Sequence, residues 1–163
     1  DDLTEYGHYI KQTVMKWTGL PVSVGIAPSK TLAKVANGIA KKNPSLSGVL
    51  CFDNAKTVDD YLKSVPIQKI WGIGRGMSIR LHRSNINNAL DLKRTVANKQ
   101  GVKKTLHVTG LRTVLELNGI PCIKMGEALD KRKGILTSRM FGKPIYEIEH
   151  LQEAVATYTS RAA

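Results

Sequence analysis

"IWGIGRGMSIRL", residues 70–81, sets three glycines and two arginines among apolar residues. A turn of the form apolar-Gly-apolar-Gly between two helices lets the backbone take left-handed angles at Gly72 and Gly74 and leaves its amides uncovered by side chains. Such amides can touch a phosphate, and a helix beginning near Gly76 adds its free N–H groups and the positive end of its dipole. Ile70, Trp71 and Ile73 are expected to anchor the turn in the core. Arg80 and Arg83 lie three apart on one helical face, and Lys99, Lys103 and His107 make a second stripe at spacings of four.

An isolated Gly-x-Gly reads better as a tight connection with solvated arginines nearby, so the surrounding charge decides. The chain of 163 residues carries a net charge of +12, and the excess is regional. Residues 1–60 hold 7 Lys/Arg against 6 Asp/Glu, whereas residues 61–112 hold 11 against the single Asp91. Charge alone would suit nucleic acid, an acidic membrane surface or a solvated face. Combined with flanking helices and the glycine turn, it predicts a DNA-binding helix-hairpin-helix built from Trp71, Gly72, Ile73, Gly74 and Arg75. Arg80, Arg83, Lys99 and Lys103 extend it. Contacts of this kind meet phosphate oxygens and carry no base sequence information.

Outward from the hairpin, the amino-terminal part reads as an α/β layer. Leu3, Tyr6, Ile10, Val14 and Trp17 recur at helical spacing and predict a helix with one buried face. "LPVSVGIA" alternates Leu20, Val22, Val24 and Ile26 as a strand does, "KTLAKVANGIAKK" puts Leu32, Val35, Ala36, Ile39 and Ala40 on one helical face, and "SGVLCF" reads as a second strand. From residue 56 the pattern is all α. Val58 and Leu62 share a face before Pro66, "NALDL" opens a short helix capped by Asn87 or Asn88, and residues 98–118 form two helical segments broken near Gly110. Gly119 and Pro121 end this part, and the stretch with Lys131, Arg132 and Lys133 reads as an exposed tether. "GILTSRMFG" predicts a strand, and Leu151, Val155 and Tyr158 begin a helix cut by the chain end, as in a fragment.

"GIAPSKT" joins a strand to a helix but fails as a phosphate-binding G-x-x-x-x-G-K-[ST] loop. One residue too few separates Gly25 from Lys30, and Ser29 stands where a glycine is needed. Two readings remain for Lys30 at the helix start: an anion contact aided by the helix terminus, or a capping turn with a solvated lysine. No clustered carboxylates, Ser/His/Asp set or Cys/His set is suggested by position, and Cys51 and Cys122 have no partners at metal-ligand spacing. No apolar run approaches the ~20 residues of a membrane span and no signal pattern opens the chain, so a soluble, cytoplasmic protein is expected.

Taken in order and spacing, "LPVSVGIAPSKTLAKVANGIAKK", "SVPIQKIWGIGRGMSIRLHRSNI" and "LTSRMFG" resemble the Y-family translesion DNA polymerases over essentially the whole chain. The third stretch departs from the more usual S-R-S-F-G by carrying Met140. The resemblance implies an α+β chain: a partial α/β palm layer over residues 1–55, an all-α helix-hairpin-helix thumb over 56–120, a tether over 121–133, and the first strand and helix of a little finger over 134–163. It implies that Lys30 reaches the triphosphate of an incoming deoxynucleotide and that the hairpin grips the backbone of damaged primer–template DNA. It further implies that Ser138, Arg139 and Gly142 lie on template backbone. The parent enzyme is implied to be a bacterial, nucleoid-associated nucleotidyltransferase of the SOS response that uses Mg²⁺ and recruits an accessory subunit. Its metal-binding carboxylates are expected to precede Asp1, so the chain alone is expected to be inactive. A stand-alone helix-hairpin-helix DNA-binding module is the alternative. An RNA-binding protein is disfavoured because only 6% of residues are aromatic and available to stack on bases.

Overall fold

A computed structural model describes residues 2–123 and 136–162, without the side chains of 55, 56, 99 and 102–105. The chain divides into two compact units, Asp1–Lys124 and Met125–Ala163.

The first unit begins with α1 (Leu3–Thr18), which Asp2 caps by accepting the Thr4 amide at 2.8 Å. β1 (Val24–Ile26), α2 (Lys30–Lys42) and β2 (Val49–Cys51) follow, and the two strands run parallel with Gly25 opposite Leu50. A helical crossover is what parallel neighbours require. The helix can lie close on its strand because residue 25 has no side chain. A Cβ there would run into the backbone of Ala33 and Asn37, with the Asn37 Cα at 2.9 Å.

The expected α2 boundaries hold. Ser29 caps the helix through the Leu32 amide, and Leu32, Val35, Ala36 and Ala40 are buried as the 3.6-residue period requires, with Ile39 half-buried. The expected burial of α1 does not hold. Gly7 is its buried residue, Ile10 and Val14 are half-buried, and Leu3, Tyr6 and Trp17 are exposed. Strands of three residues span ~10 Å and a helix of 16 spans ~24 Å, so most of the apolar stripe overhangs the sheet.

Six further helical pieces follow among the described residues of this unit: α3 (Ala55–Lys63), a 3₁₀ turn at Ile67–Lys69, α4 (Arg75–Arg83), α5 (Ala89–Arg94), a 3₁₀ turn at Thr95–Asn98 and α6 (Lys99–Leu117). One apolar cluster runs from Leu32 and Phe52 through Leu62, Ile70 and Leu81 to Leu117, so α2, β2 and the later helices share a core. Asn88 rather than Asn87 caps α5, in a capping box with Asp91. The interruption expected near Gly110 lies instead at His107, whose φ of 60° and ψ of −170° part α6 into two helices. Gly110 continues the second of these against Leu106, whose side chain occupies the space a Cβ would need.

In the second unit α7 (Ile148–Ala162) forms as expected, but residues 136–147 make no strand. A strand needs a neighbour to take its N–H and C=O groups, and no described strand pairs with this stretch. Leu136 and Met140 are 90% and 95% exposed, so the alternating pattern buries nothing. Most of the expected tether, with Lys131, Arg132 and Lys133, and residues 134 and 135 of the expected strand lie outside the described residues.

Candidate nucleic-acid interface

The glycine turn lies between the 3₁₀ turn Ile67–Lys69 and α4, so its first arm is a 3₁₀ turn where an α-helix was expected. Ile70 and Ile73 are 2% and 6% exposed and pin the turn, and Ile73 N–H donates to the Ile70 carbonyl at 3.0 Å. The segment is held from below as well. Ile67 N–H donates to Asn87 O and Ala89 N–H to Val65 O, tying it to the entry of α5.

Left-handed geometry occurs at Gly72, with φ +87°, but not at Gly74, whose φ of −81° and ψ of 175° any residue adopts. Gly74 is the N-cap of α4, which therefore starts at Arg75, one residue before the expected position, and no side chain caps it. No heavy atom comes within 4 Å of a Cβ built at Gly74 or Gly76, so the first turn of α4 opens to solvent. Arg75, Arg80 and Arg83 are all exposed on this helix. The uncapped start bearing the Arg75 guanidinium is an anion-accepting surface, and Arg80 and Arg83 sit in the last turn of the same helix.

Trp71 corrects the expected anchor. It is 45% exposed, and the Lys34 ammonium stands over its ring at 4.8 Å from the centroid. The indole thus covers an α2 lysine instead of filling the core, a cation–π contact across the first unit. Two acidic residues near the basic stretch are engaged internally. Asp91 accepts the amides of Asn87 and Asn88 at 3.0 and 3.3 Å, and Asp59 pairs with Lys93.

Lys30 opens α2 and is half-buried. The helix end beneath it is already occupied, and by a residue that no sequence motif marked. Glu116, fully buried near the end of α6, accepts the Thr31 amide at 2.9 Å through Oε2 and the amides of Cys122 and Ile123 at 2.5 and 3.1 Å through Oε1. Ser29 donates its hydroxyl to the Glu116 carbonyl oxygen at 2.5 Å. Burial pushes the Glu116 carboxyl up, but the amides of Thr31, Cys122 and Ile123 outweigh it and hold the group below the ordinary glutamate range. The available signal was a lone acid between Leu115 and Leu117 in an apolar helix end. An anion at Lys30 would therefore meet the ammonium, with the Thr31 amide engaged elsewhere.

Ser138, Arg139 and Gly142 are exposed in the second unit. Lys99 and Lys103 belong to α6, but their side chains lie outside the described residues, and the stripe they were to form with His107 is broken by the non-helical backbone at that residue. Among the described residues no three His, Cys, Asp or Glu side chains could together hold a metal ion. No described helix is long and apolar enough to cross a membrane.

Known proteins resemble this chain in sequence and in fold. The family model described as "IMS: impB/mucB/samB family" matches residues 2–38. UmuC of Salmonella typhimurium is 39% identical over 163 residues, covering 99% of this chain and 38% of that protein, and ImpB of the same species is 39% identical over 160 residues, 97% of this chain and 37% of that protein. Among solved structures, an insertion ternary complex of Dbh DNA polymerase superposes with a TM-score of 0.53 at 27% identity, covering 72% of this chain and 32% of that one. DinB from Sulfolobus solfataricus gives 0.51 at 28%, covering 70% and 31%. The chain is a homologue of Y-family DNA polymerases, and specifically of the UmuC and ImpB proteins. It spans about 38% of the length of those curated relatives.

Proposed function

We propose that this chain is the part of a lesion-bypass DNA polymerase that grips the primer–template duplex. The observation that carries the reading is the uncapped start of α4 at Gly74, open to solvent and beside the exposed Arg75, with the exposed Arg80 and Arg83 in the last turn of the same helix. Phosphate oxygens accept together from bare backbone amides and a guanidinium group at a helix start. Relatives named as DNA polymerases, one of them solved as a ternary complex, support DNA as the polyanion.

Within this reading residues 1–55 are the end of the palm, 56–120 the thumb, 121–133 the tether and 134–163 the start of the little finger. Lys30 contributes its ammonium to the triphosphate of the incoming deoxynucleotide. Ser138, Arg139 and Gly142 lie on template backbone, and an accessory subunit joins the parent enzyme. Magnesium chemistry resides in carboxylates outside the described residues, and no catalytic step is assigned to this chain. The chain's contribution is to hold the duplex by its backbone whatever base or lesion it carries, because amides and guanidinium groups on phosphate do not read sequence.

The test is fluorescence anisotropy with a primer–template duplex over a salt series, with Arg80→Glu/Arg83→Glu alongside. Salt-sensitive binding with a flatter salt dependence in the variant supports the reading, since fewer counterions are then released. Identical salt slopes refute the role of these arginines.

A further inference from the structure

A second basic feature of the first unit was assigned no role by the motifs. α2 carries an i, i+4 row of Lys30, Lys34, Gly38 and Lys42, and Gly38 is a gap in it, exposed and with no heavy atom within 4 Å of where a Cβ would stand. Beside this row lies a groove of about 550 Å³ between α2 and the segment Ser64–Lys69. Its apolar residues are Val35, Ile39, Val65 and Pro66. Its charged residues are Lys34, Lys42 and Lys69, all exposed, and among the described residues no carboxylate lines it. The groove adjoins the hairpin, because Lys34 both lines it and covers Trp71, and Lys69 directly precedes Ile70 and Trp71.

We infer that this groove is a second binding site for a phosphodiester backbone, continuous with the hairpin and held by Lys34, Lys42 and Lys69. Three cations without a neighbouring acid select a polyanion. The apolar residues between them suit the sugar faces that alternate with phosphates along a strand. Lys34 and Lys42 are eight residues, about 12 Å, apart along the helix. The missing side chain at residue 38 leaves the row open where the strand would pass between the two lysines. The inference rests on the proposed DNA-binding reading and adds to it an extended footprint reaching from α4 onto α2.

The experiment measures duplex binding by the full 163-residue chain against salt for three proteins: wild type, Lys42→Ala/Lys69→Ala, and Lys16→Glu, which removes the same net charge from α1 far along the sequence. Circular dichroism checks that each is folded. The slope of log affinity against log salt is expected to fall by about 1.8 in the double variant, from two phosphate contacts at about 0.9 each, and to stay unchanged in Lys16→Glu. Equal slopes in all three, with Gly74→Val still weakening binding, overturn the groove and leave the hairpin standing. Wild type that binds no duplex overturns both. Binding of inorganic triphosphate or of poly-glutamate that depends on Lys42 and Lys69, with an unchanged duplex slope, overturns the inference in favour of a free phosphate or an acidic peptide.

Discussion

Glu116 and Thr31, 85 residues apart in sequence, are joined by a 2.9 Å hydrogen bond from the Thr31 amide to a carboxylate that is wholly buried. The same carboxylate holds Cys122 and Ile123, where the chain leaves α6. One side chain thus fixes the start of α2, the end of α6 and the residues that follow it. A buried charge is tolerated here because each carboxylate oxygen is met by backbone N–H groups.

Replacing Glu116 with Gln puts an N–H₂ group where one of these oxygens accepts, leaving at least one amide facing a donor. The expected cost is about 2 kcal/mol of stability, the usual loss for a hydrogen bond to a buried charged group. Urea denaturation checks it through a lowered midpoint at an unchanged slope.

The pH dependence of that difference has a definite sign. The folded carboxyl ionises below its ordinary value of 4.5, so its stabilisation is fully present above that value and is lost as the pH falls through the lower folded value. The gap in urea midpoint between wild type and Glu116→Gln is expected to be constant from pH 7 to about 5 and to shrink below the ordinary value. A gap that widened on acidification would contradict the assigned state.

Gly72 and Gly74 are expected to respond differently to the same change. Valine at 72 must adopt φ +87°, which costs about 1–2 kcal/mol or more for a branched side chain, whereas valine at 74 finds ordinary extended angles and open space. Thermal unfolding of the two single variants therefore separates strain from function: Gly72→Val melts well below wild type, and Gly74→Val stays within about 1 kcal/mol of it.

At Gly25 the constraint is space. Gly25→Ala drives a methyl group into the backbone of Ala33 and Asn37, which no rotamer change relieves. A loss of about 3 kcal/mol is expected. It would be seen as a large drop in melting temperature without any change in charge.

Local signals explain what was legible beforehand. The span of α2 followed from the Ser29 cap and an unbroken 3.6-residue period, and α5 from the Asn87–Asn88 pair before "ALDL", of which Asn88 proves to be the cap, both decided within one turn of chain. The misreadings needed distant partners. Leu3, Tyr6 and Trp17 have a helical period whether or not anything covers them, and "LTSRMFG" alternates without a described strand to pair with. Trp71 looks like a core residue until the Lys34 ammonium is found over its outer face. At the site, the turn and its charge were readable, but the occupation of the α2 terminus was not, since Glu116 reaches it from 85 residues away.

The most direct test of the central claim is the affinity of wild type and Gly74→Val for a primer–template duplex, measured by fluorescence anisotropy at several salt concentrations. No cation is removed by the change, so a parallel salt dependence with affinity about tenfold weaker throughout is the predicted result, the loss of a hydrogen bond to a charged phosphate. Indistinguishable affinities in a folded variant would mean that the amides of the turn do not meet DNA, and the account of the hairpin as a phosphate grip would be wrong.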